Sequence, residues 1–158
     1  MRQKSHEMTI NTSFIVMGHE VTPFSTSGDY DLALGVTPGG MPGPPPHTHQ
    51  TYNEVFLITE GEMEFVLDGK ARKVAAGEIV DIPSGCLHTF ANRENAPCKW
   101  INIHSPKGFR AFFETFGVLA SEEDALEQSL SPGLIEGVLE RAGEFDMQIK
   151  IPEGAGPA

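Results

Sequence analysis

Residues 44–61 read PPPHTHQTYNEVFLITEG. His47 and His49 stand two residues apart, Glu54 follows five residues after the second histidine, and an apolar run then ends at Glu60-Gly61. Side chains on a strand alternate between its faces, so His47 and His49 can point into one interior together. Glu54 is an odd number of residues from His49, and a regular strand would send it to the opposite face. QTYN therefore has to contain a bulge or turn that resets the parity. With that reset, Glu54, Phe56 and Ile58 face inward. A carboxylate buried in an apolar strand is costly unless it is paired or binds a metal. Neutral imidazole is a good ligand for borderline metals, so the cost of burying Glu54 connects it with the two histidines.

Working outward, the chain is a series of short β-prone runs. SFIVM (13–17) is apolar, and YDLALGV (30–36) places Tyr30, Leu32, Leu34 and Val36 on one face by alternation. TPGGMPGPPP (37–46) excludes helix and central strand. Strands are then predicted at about 54–59, 62–67, 71–75, 78–82, 87–91 and 98–104, with Asp68-Gly69 as a hairpin turn. Gly61, Gly77 and Gly85 read as turn residues. Short strands at this spacing suggest a sandwich or small barrel. After Pro106 the period changes. Phe109, Phe112, Phe113 and Phe116 fall on one helical stripe that Gly117 can end. Ser121 reads as an N-cap, and Ser131-Pro132 as a cap followed by a first-turn proline. Leu134, Ile135, Val138 and Leu139 form another stripe. The predicted organisation is an N-terminal arm and strand (1–29), a barrel (30–106), short helices packed on it (107–147) and a tail (148–158).

The composition agrees with one turn-rich domain. The 158 residues are 39% hydrophobic and include 17 Gly and 12 Pro, which favours β structure over a helical bundle. A net charge of −11 argues against nucleic acid or an anionic membrane as partner. Cys86 and Cys98 form no CxxC and are read as reduced thiols. No apolar run approaches a membrane span, and MRQKSHEMTI has no apolar core of a signal peptide behind it, so a cytoplasmic location is expected. The apolar strand near the N-terminus offers an unpaired edge, which predicts a homodimer.

A second segment completes the site. Gly77, Pro83, Gly85, His88 and Asn92 stand at the spacings of a known motif, and His47, His49, Glu54 and Gly61 at those of its companion. On these residues the chain resembles the cupins. It departs only at the first glycine of the first motif, where Met41 stands between Gly40 and Gly43. The resemblance implies an all-β jelly roll, a double-stranded β-helix with short C-terminal helices. It also implies one divalent transition metal ion (Fe, Mn, Ni, Cu, Co or Zn) held by His47, His49, Glu54 and His88. SPKGFRAFFETFGV is similar to the segment that follows the barrel in quercetin-dioxygenase-like cupins. That likeness implies dioxygenase-type oxidation of an enol, catechol or flavonol-like substrate.

Trp100, Asn102 and His104 share one face of the last strand and are expected inside. Phe56, Phe65 and Phe90 are expected to give the pocket an apolar wall. Glu54 and His104 are the candidates for moving a proton. His6 and His19 read as ordinary surface or loop residues. The alternatives are a non-redox isomerase, lyase or cyclase, and a small-molecule-binding module without catalysis.

Overall fold

The computed structural model describes residues 11–151. His6, residues 8–10 of the expected terminal strand and the PEGAGPA end lie outside them. The described strands are β1 (Phe14–Val16), β2 (His19–Phe24), β3 (Asp31–Thr37), β4 (His47–Thr48), β5 (Asn53–Glu60), β6 (Glu62–Leu67), β7 (Lys70–Ala75), β8 (Ile79–Ile82), β9 (His88–Ala91), β10 (Cys98–Ser105), β11 (Val118–Leu119) and β12 (Gln148–Ile149). Three short helices, α1 (Arg110–Phe116), α2 (Ala125–Ser129) and α3 (Pro132–Arg141), fall between β10 and β12. The strands form two antiparallel sheets, ordered β11-β1-β2-β3-β10-β5-β8 and β12-β4-β9-β6-β7. The fold is the mostly-β jelly roll that the sequence implied.

The turns obey their glycines. Asp68 and Gly69 both take positive φ, 46° and 80°, as a tight hairpin between β6 and β7 requires. Gly43 is needed for a different reason: a Cβ there would sit 1.7 Å from the Phe90 carbonyl oxygen. That close approach lets the proline-rich loop lie along β9.

Several expectations need correction. Leu32, Leu34 and Val36 do share a face, but it is the outer one. Asp31, Ala33, Gly35 and Thr37 point inward. The interior wants small residues here because the Trp100 ring lies on Gly35, where an added Cβ would come within 2.1 Å of it. Where one strand was expected within 1–29, the described residues hold two, β1 and β2, which extend the larger sheet. The edge of β1 that suggested a dimer is not open, because β11 pairs with it on the side away from β2. Ser121 caps nothing: α2 begins at Ala125, after Asp124. The tail begins later than predicted, because Gln148 and Ile149 pair with Thr48 and His47.

Helix α1 buries Phe112, Phe113 and Phe116, with Phe109 buried at its N-cap. Phe109 and Phe112 stack with centroids 5.0 Å apart. Burying such rings stabilises by roughly 1.5–3 kcal/mol each, which is reason enough for this polar-sided helix to lie on the barrel end rather than in solvent. Cys86 and Cys98 are both buried and unbridged. Among the described residues no helix is long and apolar enough to cross a membrane.

Candidate metal centre

The parity reset is visible in the backbone. Strand β4 ends at Thr48, the chain turns through Gln50 and Thr51, and β5 begins at Asn53. His47, His49 and Glu54 are consequently all buried. His47 lies opposite His88 in the β4–β9 ladder, so the fourth residue arrives by strand pairing. One ligand atom from each of His47, His49, Glu54 and His88 lies within 4.8 Å of all the others.

Hydrogen bonds fix how the imidazoles are used. His47 Nδ1 donates to the Pro45 carbonyl at 2.9 Å, His49 Nδ1 to the Asp146 carbonyl at 2.8 Å, and His88 Nδ1 to the Cys86 carbonyl at 3.0 Å. A carbonyl oxygen can only accept, so each Nδ1 carries the hydrogen and each neutral ring presents a bare Nε2 lone pair. Metal-binding histidines are held by their second nitrogen in this way. His88 Nε2 lies 2.9 Å and His49 Nε2 3.5 Å from Glu54 Oε2. The carboxylate is itself an acceptor, so the cluster is a set of lone pairs facing one another at contact distance. Only a cation or added protons make that arrangement favourable.

The electrostatics carry the same message. Burial pushes the Glu54 carboxyl up, but His104, His49 and His88 outweigh it and hold the group well below the usual carboxylate range. Burial lowers the His88 imidazole, and its contact with Glu54 more than reverses this. Burial, reinforced by the neighbouring His88, brings His47 down to about 3 against the pull of Glu54.

Behind the four residues stands a supporting layer. Asn102 Nδ2 donates to Glu54 Oε1 at 2.9 Å, and His104 Nε2 lies 3.3 Å from the same oxygen without a hydrogen bond of its own. His104 stacks on Phe109 at 4.1 Å. Burial lowers its imidazole to about 4. Asp146 holds the His49 loop: its two carboxylate oxygens accept from Gln50 N at 3.0 Å and Thr51 N at 2.7 Å, while its carbonyl takes the His49 ring.

The cluster opens onto a cavity of about 70 Å3. Phe56, Phe90, Trp100, Asn102 and His104 line it. Phe65 does not. It is fully buried beneath Phe56 and Phe90, with centroids 5.1 and 5.8 Å away. The wall also contains Phe109, Phe112 and Phe113. His19 corrects another expectation: it is 5% exposed and lines the cavity. The alternation His19, Val21 in β2 was the signal that places it inside. Nothing local marked Asp146, because its partners are 95 to 97 residues away.

A family profile described as "Cupin domain" matches residues 34–104. Germin-like protein 1-1 of Oryza sativa subsp. japonica is 33% identical over 78 residues, covering 46% of this chain and 35% of that protein. The chain thus matches about a third of the length of that relative. Among solved structures, an RmlC-like cupin from Shewanella frigidimarina aligns with a TM-score of 0.55 at 22% identity, covering 68% of this chain and 96% of the other. KdgF from Halomonas sp. aligns with a TM-score of 0.53 at 21% identity, covering 58% and 81%. At these identities the two structures share the fold.

Proposed function

Because this chain belongs to the cupin superfamily, we propose that it is a metal-dependent enzyme acting on a small organic molecule by dioxygenase-type oxidation. The observation that carries the reading is the convergence of three bare Nε2 lone pairs and the Glu54 carboxylate at the floor of a mainly apolar cavity. His47, His49, Glu54 and His88 would hold one divalent ion of Fe, Mn, Ni, Cu, Co or Zn. Such an ion supplies Lewis acidity and, where redox-active, a path for electrons between an enol or catechol and O2.

The chain's own residues do the rest. Asn102 fixes the carboxylate plane through Glu54 Oε1. His104, buried beside that oxygen, would take a proton from a substrate hydroxyl. Phe56, Phe90, Trp100 and Phe109 exclude water and hold a flat molecule. A single water needs about 10–15 Å3 of such space, so the cavity suits one ring or a short enol better than a three-ring flavonol.

A second reading rests on the same Glu54–His104 pair. Two proton-transfer groups at one site also suit a non-redox isomerase, lyase or cyclase, with the ion as Lewis acid alone. Protein purified without added metal should carry close to one transition-metal ion per chain, and His49→Ala or His88→Ala should lose most of it. A catechol or enol substrate should then drive O2 uptake, which Glu54→Gln abolishes. Full metal content in all three variants would remove the four-residue site. A zinc protein that turns substrate over equally without air would replace the oxygenase with the non-redox reading.

A further inference from the structure

Helix α1 is tied to the barrel by a buried carboxylate. Asp31 opens β3 and lies opposite His104 in the β3–β10 ladder. It is 7% exposed, and a carboxylate so far from water is costly unless its oxygens are taken up. Its Oδ2 accepts from Gly108 N at 2.6 Å and from Arg110 N at 3.2 Å. These amides belong to the chain entering α1, one before Phe109 and one after it. Gly108 holds φ 150° there, and a Cβ on it would come within 2.5 Å of the Tyr52 hydroxyl oxygen. Asp29 Oδ1 accepts from Lys107 N at 3.0 Å, so the loop before β3 also holds the start of this turn.

What these bonds hold in place is one ring. Phe109 stacks on His104 with centroids 4.1 Å apart and an interplanar angle of 21°. It meets the His49 ring edge-on at 5.0 Å. His49 is one of the four converging residues, and His104 Nε2 lies 3.3 Å from Glu54 Oε1. Phe109 is buried and lines the cavity, with Phe112 stacked on it. Phe116, at the far end of the same helix, is buried as well but is not part of the cavity wall.

Stacking alone leaves a ring free to slide, since several offset and edge-on arrangements are close in energy. Two bonds to one carboxylate oxygen are stronger and fix the backbone on both sides of Phe109. We infer that Asp31 is a positioning residue: its carboxylate sets the Phe109 ring over His49 and His104, and the ring so held keeps bulk water from the candidate metal centre. The hydrophobic shell around a metal site controls its access to solvent. Here the part of that shell lying against two of the imidazoles depends on a single oxygen. The shielding rests on the metal site proposed above. The seating of Phe109 is independent of any metal.

The test loads the full chain with manganese(II) and measures how strongly the bound ion relaxes the protons of bulk water. Asp31→Ala and Phe109→Leu should each raise that relaxivity per bound ion about twofold, because solvent then reaches the site. The double variant should go no higher than either single one. Phe116→Leu trims the same helix away from the cavity and should stay at the wild-type level, which separates shielding from a loosened helix. Wild-type relaxivity in Asp31→Ala, or additive effects in the double variant, overturns the inference. The seating of the ring is read on the metal-free chain by NMR. Ring-current shifts of the carbon-bound protons of His49 and His104 should collapse in Asp31→Ala as in Phe109→Leu, and persist in Phe116→Leu. Unchanged shifts in Asp31→Ala refute the positioning role. A wild type that takes up no manganese sinks the metal centre and the shielding with it, and the shifts then decide the seating alone. Should Asp31→Ala fail to fold, Asp31→Asn keeps an oxygen for both amides without the charge. It should move both readouts the same way by less, and no movement in either refutes the inference.

Discussion

Asp146 offers a sharp test of how the candidate metal centre is held, because it is not one of the four converging residues. It sits after α3 in a left-handed conformation, φ 59°. Its carboxylate accepts from Gln50 N and Thr51 N, and its carbonyl from His49 Nδ1. Burial pushes its carboxyl up, but the Thr51 and Gln50 amides and His49 outweigh this and lower it, which marks the ionised form as the one the loop binds. In Asp146→Ala both side-chain acceptors disappear. Bonds to a charged acceptor are worth ~1.5–3 kcal/mol each when buried, and partial exposure reduces this to about 1 kcal/mol apiece. Ala in the left-handed region adds about 1 kcal/mol. The sum is about 3 kcal/mol, located at the turn that aims His49. Loss of such a supporting partner typically weakens metal affinity by about 10–100-fold. Asp146→Asn keeps one oxygen and tolerates the backbone, so it should fall between. Competition with a calibrated chelator gives the metal affinity, and denaturant unfolding of the metal-free proteins gives the stability. If Asp146→Ala binds metal as tightly as wild type, Asp146 does not position His49 and the argument fails.

Two further outcomes are expected. His19 has a folded-state value of about 4 against 6.5 unfolded. The unfolded chain therefore takes up its proton first, and stability falls as pH drops below 6.5, levelling off below about 4. Between pH 7 and pH 5 this amounts to ~2 kcal/mol. Denaturant unfolding should show that much less acid sensitivity in His19→Leu than in wild type; equal slopes would place His19 in water. We also propose a homodimer through the outer face of the larger sheet. Leu34, Ile101, Leu57 and Ile79 form one cross-strand row there, with Leu34 and Ile79 43% and 56% exposed. Sedimentation should give twice the 17.1 kDa chain mass and the monomer mass for Leu34→Lys/Ile79→Lys; a monomeric wild type would discard the interface.

The strands from β5 to β10 were legible because each is punctuated by a turn whose chemistry is local: Asp68-Gly69, Gly61, Gly77 and Gly85 all take positive φ. The convergence of His47, His49, Glu54 and His88 was legible for a related reason. A two-residue side-chain period and two spaced motifs carry position along a strand, and pairing of β4 with β9 follows from them. Which face of β3 turns inward was not legible. Alternation names two faces without saying which is buried, and Trp100, 65 residues away, chose the one with Gly35.

The sequence by itself determined the fold class, the candidate ligand types and the phenylalanine stripe, since each depends on the identity and spacing of near neighbours. Only the tertiary structure decided that β11 closes the edge of β1, that Asp146 steers His49, that Phe65 lies beneath the cavity wall, and that His19 is buried beside the cavity. In each case the deciding partner lies far along the chain. A local pattern sets what a residue can do, while pairing and burial between distant segments set what is there for it to act on.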